Sequence, residues 1–165
     1  MNSYGAIYHQ LTDHACQLAK TQGLLRTTRG DKGDDEAIIR TDEFLDEHVP
    51  HKLANAGVRR CHVIYGYIGD SSHLIDIETG NAVPVMQKAK EAGHVLLWLE
   101  TDPKVCWVSD LDLYDAVKNS NESSKLRRAA MYWQSLQPFA QYDGTIRRPE
   151  VMIAADLPPQ YLHEV

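Results

Sequence analysis

Five short runs of aliphatic, β-branched and aromatic residues punctuate the chain: Ala6–His9, Cys61–Gly69, His94–Thr101, Val105–Ser109 and Glu150–Ala154. Each has the length and composition of a strand, and the stretches between them carry helical spacing. The third and fourth runs are separated only by Asp102-Pro103-Lys104, a sequence suited to a turn. Strands separated by helices of unequal length, with two strands adjacent, predict an α+β fold rather than a doubly wound parallel sheet. At 165 residues with 43% hydrophobic content, one domain spanning residues 1–165 suffices to build a core. Neither a GxGxxG motif nor a glycine-lysine phosphate loop is present.

The helices announce their ends. Thr12 precedes Asp13 to Ala19, with Gly23 as the stop. The polar segment from Arg26 reads as a loop until Thr41 or Asp42 caps a short helix through Phe44 and Leu45, limited by Pro50. A turn at Lys52-Leu53-Ala54 ends at Gly57, and Val83 to Ala92 ends at Gly93. Asp112 to Val117 is a further short helix. The longest, Glu122 to Leu136, has Asn121 as its cap and an apolar face of Leu126, Ala129, Ala130, Trp133 and Leu136. A final helical turn begins at Asp156-Leu157-Pro158-Pro159.

A net charge of −6 opposes any mode of binding that grips duplex nucleic acid by bulk counterion release. Cys16, Cys61 and Cys106 are far apart and odd in number, which predicts reduced thiols. The opening MNSYGAIYHQ lacks a basic start and an apolar stretch, and no window approaches the ~20 apolar residues of a membrane span. A cytoplasmic protein without membrane contact is the expectation.

Three segments, in order, carry a resemblance. The first is Ile7-Tyr8-His9-Gln10-Leu11-Thr12, leading through a helix to Gly23-Leu24-Leu25; the second is Arg59-Arg60-Cys61-His62-Val63-Ile64-Tyr65-Gly66-Tyr67; the third is Arg148-Pro149-Glu150-Val151-Met152-Ile153 with Leu157-Pro158-Pro159 beyond it. Together they resemble the DarT-type, DNA-modifying branch of the ADP-ribosyltransferases. The match departs at Asp13-His14-Ala15, where that branch usually has an asparagine, and at Pro149, where alanine is common. The resemblance implies an ADP-ribosyltransferase-like split β-sheet core with peripheral helices. It also implies a mono-ADP-ribosyltransferase that uses NAD as co-substrate, without a metal, and modifies a nucleic-acid base, most readily in a single strand. Toxin or phage-defence use, with an antitoxin or immunity protein as partner, belongs to the same implication. Two other readings stay open: an NAD glycohydrolase or a transferase acting on protein or small molecules, and a catalytically inactive fold serving as a binding module.

Under this resemblance Glu150 is the catalytic carboxylate, because cleaving the nicotinamide–ribose bond builds positive charge on the sugar. Glu150 also admits a plain reading, as a strand-edge carboxylate paired with Arg147 or Arg148. His9 and Thr12 fall where the family holds the nicotinamide-side ribose, and Tyr65 and Tyr67 share a strand face that lines the NAD cleft or simply packs. Arginine suits a pyrophosphate through its planar fork, with Arg60 the first choice and Arg59 the second. Arg26, Arg29 and Arg40 lie in or beside a loop able to close over the cofactor or to remain solvated. By the same resemblance, Tyr142, Asp143, Arg147 and Arg148 are expected in the segment that recognises the target. NAD is expected in a cleft between the strands of His9 and Glu150. His48 and His51, near Asp42 and Asp46, invite a metal reading that Pro50 opposes by breaking the helix. Lys125 to Arg128 read as a backbone-contacting cluster or a solvated helix face.

Overall fold

The computed structural model describes residues 5–26 and 35–165. It is a mixed α+β structure with an open antiparallel sheet and several helices. The strands are β1 (Ala6–Leu11), β2 (Ile64–Gly69), β3 (His73–Ile75), β4 (Ala82–Pro84), β5 (Val95–Leu99), β6 (Cys106–Asp110), β7 (Gln137–Pro138), β8 (Pro149–Ile153) and β9 (Leu162–Glu164). The helices are α1 (Asp13–Gln22), α2 (Glu36–Glu47), α3 (His51–Asn55), α4 (Val85–Ala92), α5 (Leu111–Lys118) and α6 (Glu122–Ser135). The sheet runs β7-β6-β8-β2-β1-β5-β9, with β3 and β4 forming a hairpin that extends from β2. Pairing between β1 and β2 covers only Ala6 to Tyr8 against Gly69 to Tyr67, while β2 pairs with β8 through Ile64 to Gly66.

Local chemistry explains most boundaries. The Thr12 hydroxyl accepts from the Ala15 N–H at 3.2 Å and caps α1. Gly23 ends that helix at φ +81°, and a Cβ there would stand 2.2 Å from the Leu157 carbonyl oxygen, so both conformation and space demand glycine. The expected cap of α2 at Thr41 or Asp42 is corrected: Asp35 accepts from the Ala37 and Ile38 amides, and the helix starts at Glu36. Asp42 therefore lies within the helix, facing inward and 1% exposed. The segment before Val85 forms the β3–β4 hairpin, which its three-residue strands left without a visible alternation. On α6 the buried stripe is Ala129, Tyr132 and Trp133, whereas Leu126 and Ala130 are exposed. The face is turned toward Tyr132 because its hydroxyl has a buried polar partner.

Register fixes which side chains share a face, since directly opposed residues point the same way. Tyr8 opposes Tyr67, Tyr65 opposes Met152, and Ser109 opposes Glu150, so these side chains lie on one face. That face packs against the α2, α3, α5 and α6 cluster of Leu45, Val58, Val117, Trp133 and Met152, and against α4 through Tyr8, Leu74 and Ala89. The opposite face, with Ile7, Ile64, Ile68, Val108, Val151 and Ile153, buries against Cys16, Ala19, Phe139 and Tyr142. Both faces of β8 are covered, and all five of its residues are buried.

Candidate functional site

Glu150 sits on β8 between β2 and β6, with its backbone carbonyl accepting from the Ser109 hydroxyl at 3.4 Å. Its side chain is 12% exposed, and Oε1 accepts from Arg60 Nη1 at 3.0 Å. Among the described residues the second oxygen takes no hydrogen bond. One oxygen of this carboxylate is held by Arg60, and the side chain keeps a small exposed fraction.

Arg60, 4% exposed, is gripped on all sides. Its Nε donates to Asp42 Oδ1 at 2.7 Å, and Nη1 also donates to the Tyr132 hydroxyl at 2.8 Å. The rings of Tyr114, Tyr65 and Tyr132 lie 4.3, 4.9 and 5.8 Å from the guanidinium carbon, a cation–π enclosure. Its backbone is fixed as well: the N–H donates to Asp46 Oδ1 at 2.6 Å, and the carbonyl accepts from the Tyr65 hydroxyl. Burial acts to lower the guanidinium, but Tyr132, Tyr65, Glu150 and Asp42 outweigh it and hold Arg60 well above its ordinary value. Burial likewise pushes the Tyr65, Tyr114 and Tyr132 phenols up, so all three remain neutral donors.

His9 lies at the seam where β1 and β2 part. Its Nδ1–H donates to the Tyr65 carbonyl at 2.6 Å, just past the last β1–β2 pair. Burial lowers the imidazole below its ordinary range, against the opposing pull of that hydrogen bond. A neutral ring with Nδ1 protonated leaves Nε2 as an acceptor. Tyr67 lies on the Glu150 face, donates to Gln10 Oε1 at 3.3 Å, and has Lys88 5.7 Å from its ring centre. By the pleat His9 belongs to the other face, two strands from Glu150, or about 10 Å.

Sequence reasoning and structure part company at other positions. Arg60, expected on a pyrophosphate, is buried with Asp42 and Glu150 because two carboxylates and three rings match its charge. Arg59 is exposed and reaches the Asp46 carbonyl at 3.4 Å. Thr12 spends its acceptor on the α1 cap. Tyr142, expected to meet a target, is 6% exposed in the apolar core, its hydroxyl donating to the Ile146 carbonyl. Arg147 and Arg148 do not approach Glu150: they bind Asp112 at 2.6 and 3.1 Å, and Arg148 binds Asp115 at 2.7 Å. Asp143 turns back on Thr145. Arg26 pairs with Asp156, Arg40 with Glu36, and Arg29 lies outside the described residues.

The metal reading at Asp42, Asp46, His48 and His51 finds these carboxylates engaged by Arg60 and Cys61, with His48 turned onto the Phe44 carbonyl. Among the described residues no group of three His, Cys, Asp or Glu side chains is gathered to hold a metal ion. All three cysteines are free. No described helix is long and apolar enough to cross a membrane.

Tyr114 and Tyr132 were not singled out from the sequence, and Asp42 was read there only as a helix cap or a neighbour of His48 and His51; each reaches Arg60 from a distant element. A tyrosine on the turned face of α6 was the one available signal. Cavities of about 590 and 480 Å³ lie elsewhere, the first beside Gly69, His73, Gly80 and Thr145, the second beside Ile7, Leu99 and Phe139. Comparison of the chain with protein-family models, curated proteins and solved structures found no match.

Proposed function

We propose that this chain is a mono-ADP-ribosyltransferase that cleaves NAD and passes ADP-ribose to an acceptor, a nucleic-acid base before others. The observation carrying the proposal is the state of Glu150: one carboxylate oxygen fixed by a buried arginine, the other presented from a rigid strand. In the reaction the ribose C1′–nitrogen bond breaks, its electron pair neutralises the nicotinamide ring, and positive charge builds on the ribose. A preoriented carboxylate stabilises that charge. The acceptor then forms its bond to C1′ and gives its proton to Glu150.

The neutral His9, with Nε2 open as an acceptor, suits a ribose hydroxyl. The short β1–β2 pairing supports a sheet divided into β7-β6-β8-β2 and β1-β5-β9 portions, in keeping with the split core that the sequence resemblance implies. His9 and Glu150 alternate to opposite faces, so a dinucleotide that meets both has to cross the sheet at the β1–β2 seam.

Hydrolysis is favoured as a second reading by one observation. Tyr142 is buried and Arg147 and Arg148 are paired with Asp112 and Asp115, so a strand would have to compete with these acids for both arginines. Purified protein incubated with NAD, alone and with single-stranded DNA, RNA or duplex, separates these readings. Nicotinamide release that rises with single strands, with label on the strand, supports transfer. Release independent of any strand supports hydrolysis, and no release under any condition removes both.

A further inference from the structure

We propose that Asp42 is a positioning residue for Glu150, acting through Arg60 so that the presented carboxylate keeps its negative charge. This inference rests on the reading of Glu150 as the catalytic carboxylate. A carboxylate bound to a single buried guanidinium forms a pair of no net charge, a poor partner for an oxocarbenium-like ribose. Here the guanidinium that meets Glu150 also meets Asp42, so its positive charge is divided between two carboxylates and is not spent on Glu150 alone.

The burial of the two acids differs. Asp42 has 1% of its side chain exposed and Glu150 has 12%, so the deeper acid is the counter-ion of Arg60 and the shallower one keeps the greater access to solvent. Distances agree with this division: Asp42 takes the shorter contact, 2.7 Å through Nε, and Glu150 the longer, 3.0 Å through Nη1. Nη1 is shared with the Tyr132 hydroxyl at 2.8 Å, which further dilutes its hold on Glu150. The planar fork of arginine lets the two acids sit on different nitrogens without displacing each other. Asp42 lies on α2, Arg60 ahead of β2 and Tyr132 on α6, so three elements converge to set one oxygen.

The test measures kcat and KM for NAD, from nicotinamide release, in the full chain and in Asp42→Asn. This variant preserves shape and an acceptor for Arg60 Nε, and it leaves a balanced Arg60–Glu150 pair. The expected result is a fall in kcat on the order of tenfold or more with KM changed by less than about twofold. A folded Asp42→Asn protein with wild-type kcat overturns the inference while the proposed function stands. Wild-type protein that releases no nicotinamide overturns both. Should Asp42→Asn fail to fold, Tyr132→Phe decides. It removes only the hydroxyl that shares Nη1, and a lowered kcat with unchanged KM supports positioning through Arg60. An unchanged kcat contradicts it.

Discussion

Two clusters in this molecule are built from the same parts, arginine and a pair of acids, and differ in where they sit. Arg60 with Asp42 and Glu150 lies in the interior, and the Arg60 side chain is 5% exposed. Arg147 and Arg148 with Asp112 and Asp115 lie near the surface, the side chain of Arg147 being 62% exposed. The outer cluster straps the 77–79 loop to α5, since Arg148 also donates to the Ile77 carbonyl and Arg147 to that of Thr79. Water and salt compete most for the contacts of Arg147, while those of Arg148, 16% exposed, are better shielded. The inner cluster had to remove three charges from water, and apolar packing of similar volume would often serve stability as well. The inner cluster is thus the costlier of the two to build, whereas the outer cluster has a mechanical explanation.

The contrast breaks most visibly in stability. Arg60→Met leaves Asp42 and Glu150 without their shared cation and is expected to cost about 3–5 kcal/mol in urea unfolding. Arg148→Met, which removes bonds from two acids and a carbonyl at a partly buried position, is expected to cost about 1–3 kcal/mol. Arg147→Ala is expected to cost about 0–1 kcal/mol, an effect that fades in high salt. Equal costs for Arg60 and Arg147 would erase the distinction drawn here.

The sequence made legible whatever is encoded within a few residues. Thr12 and Asn121 cap the helices expected of them, Gly23 and Gly93 end theirs, and the hydrophobic runs at Ile64 to Gly69 and Glu150 to Ile153 are strands. Glu150 and Arg60 were recognisable as residues of interest, but their contact was not, because it joins positions 90 residues apart. Asp42 looked like a helix cap because the acceptor in use, Asp35, lies inside a long polar run that hides the start of α2. Tyr142 looked like a contact residue because its neighbours are polar, yet it is buried as a member of the apolar core that also holds Ile68 and Val151. Strand β9 is three residues long and carries no alternation to read.

Acid separates the regions more gently. His9 has a folded value below its ordinary 6.5, chiefly through burial, so the unfolded chain takes up the proton first. Its contribution is present above about pH 6.5 and is lost as pH falls through the lowered folded value. Asp112 is held below 3.8, first by its hydrogen bond from Arg147, so the outer cluster loosens only under more acid conditions. Unfolding followed from pH 8 to pH 3 should show a decline beginning near 6.5 that is reduced in His9→Gln. A His9→Gln profile superimposable on wild type would mean that this ring is not buried neutral at the seam.

The central claim is that Glu150 supplies catalytic charge and not merely an anchor for Arg60. Glu150→Gln retains an oxygen for Arg60 Nη1 and leaves Asp42 as its counter-ion, so the fold should persist with a nearly unchanged unfolding midpoint. Nicotinamide release from NAD, measured at saturating NAD with wild type and variant side by side, should fall by on the order of 10²–10³. A folded Glu150→Gln protein that releases nicotinamide at the wild-type rate would contradict the account.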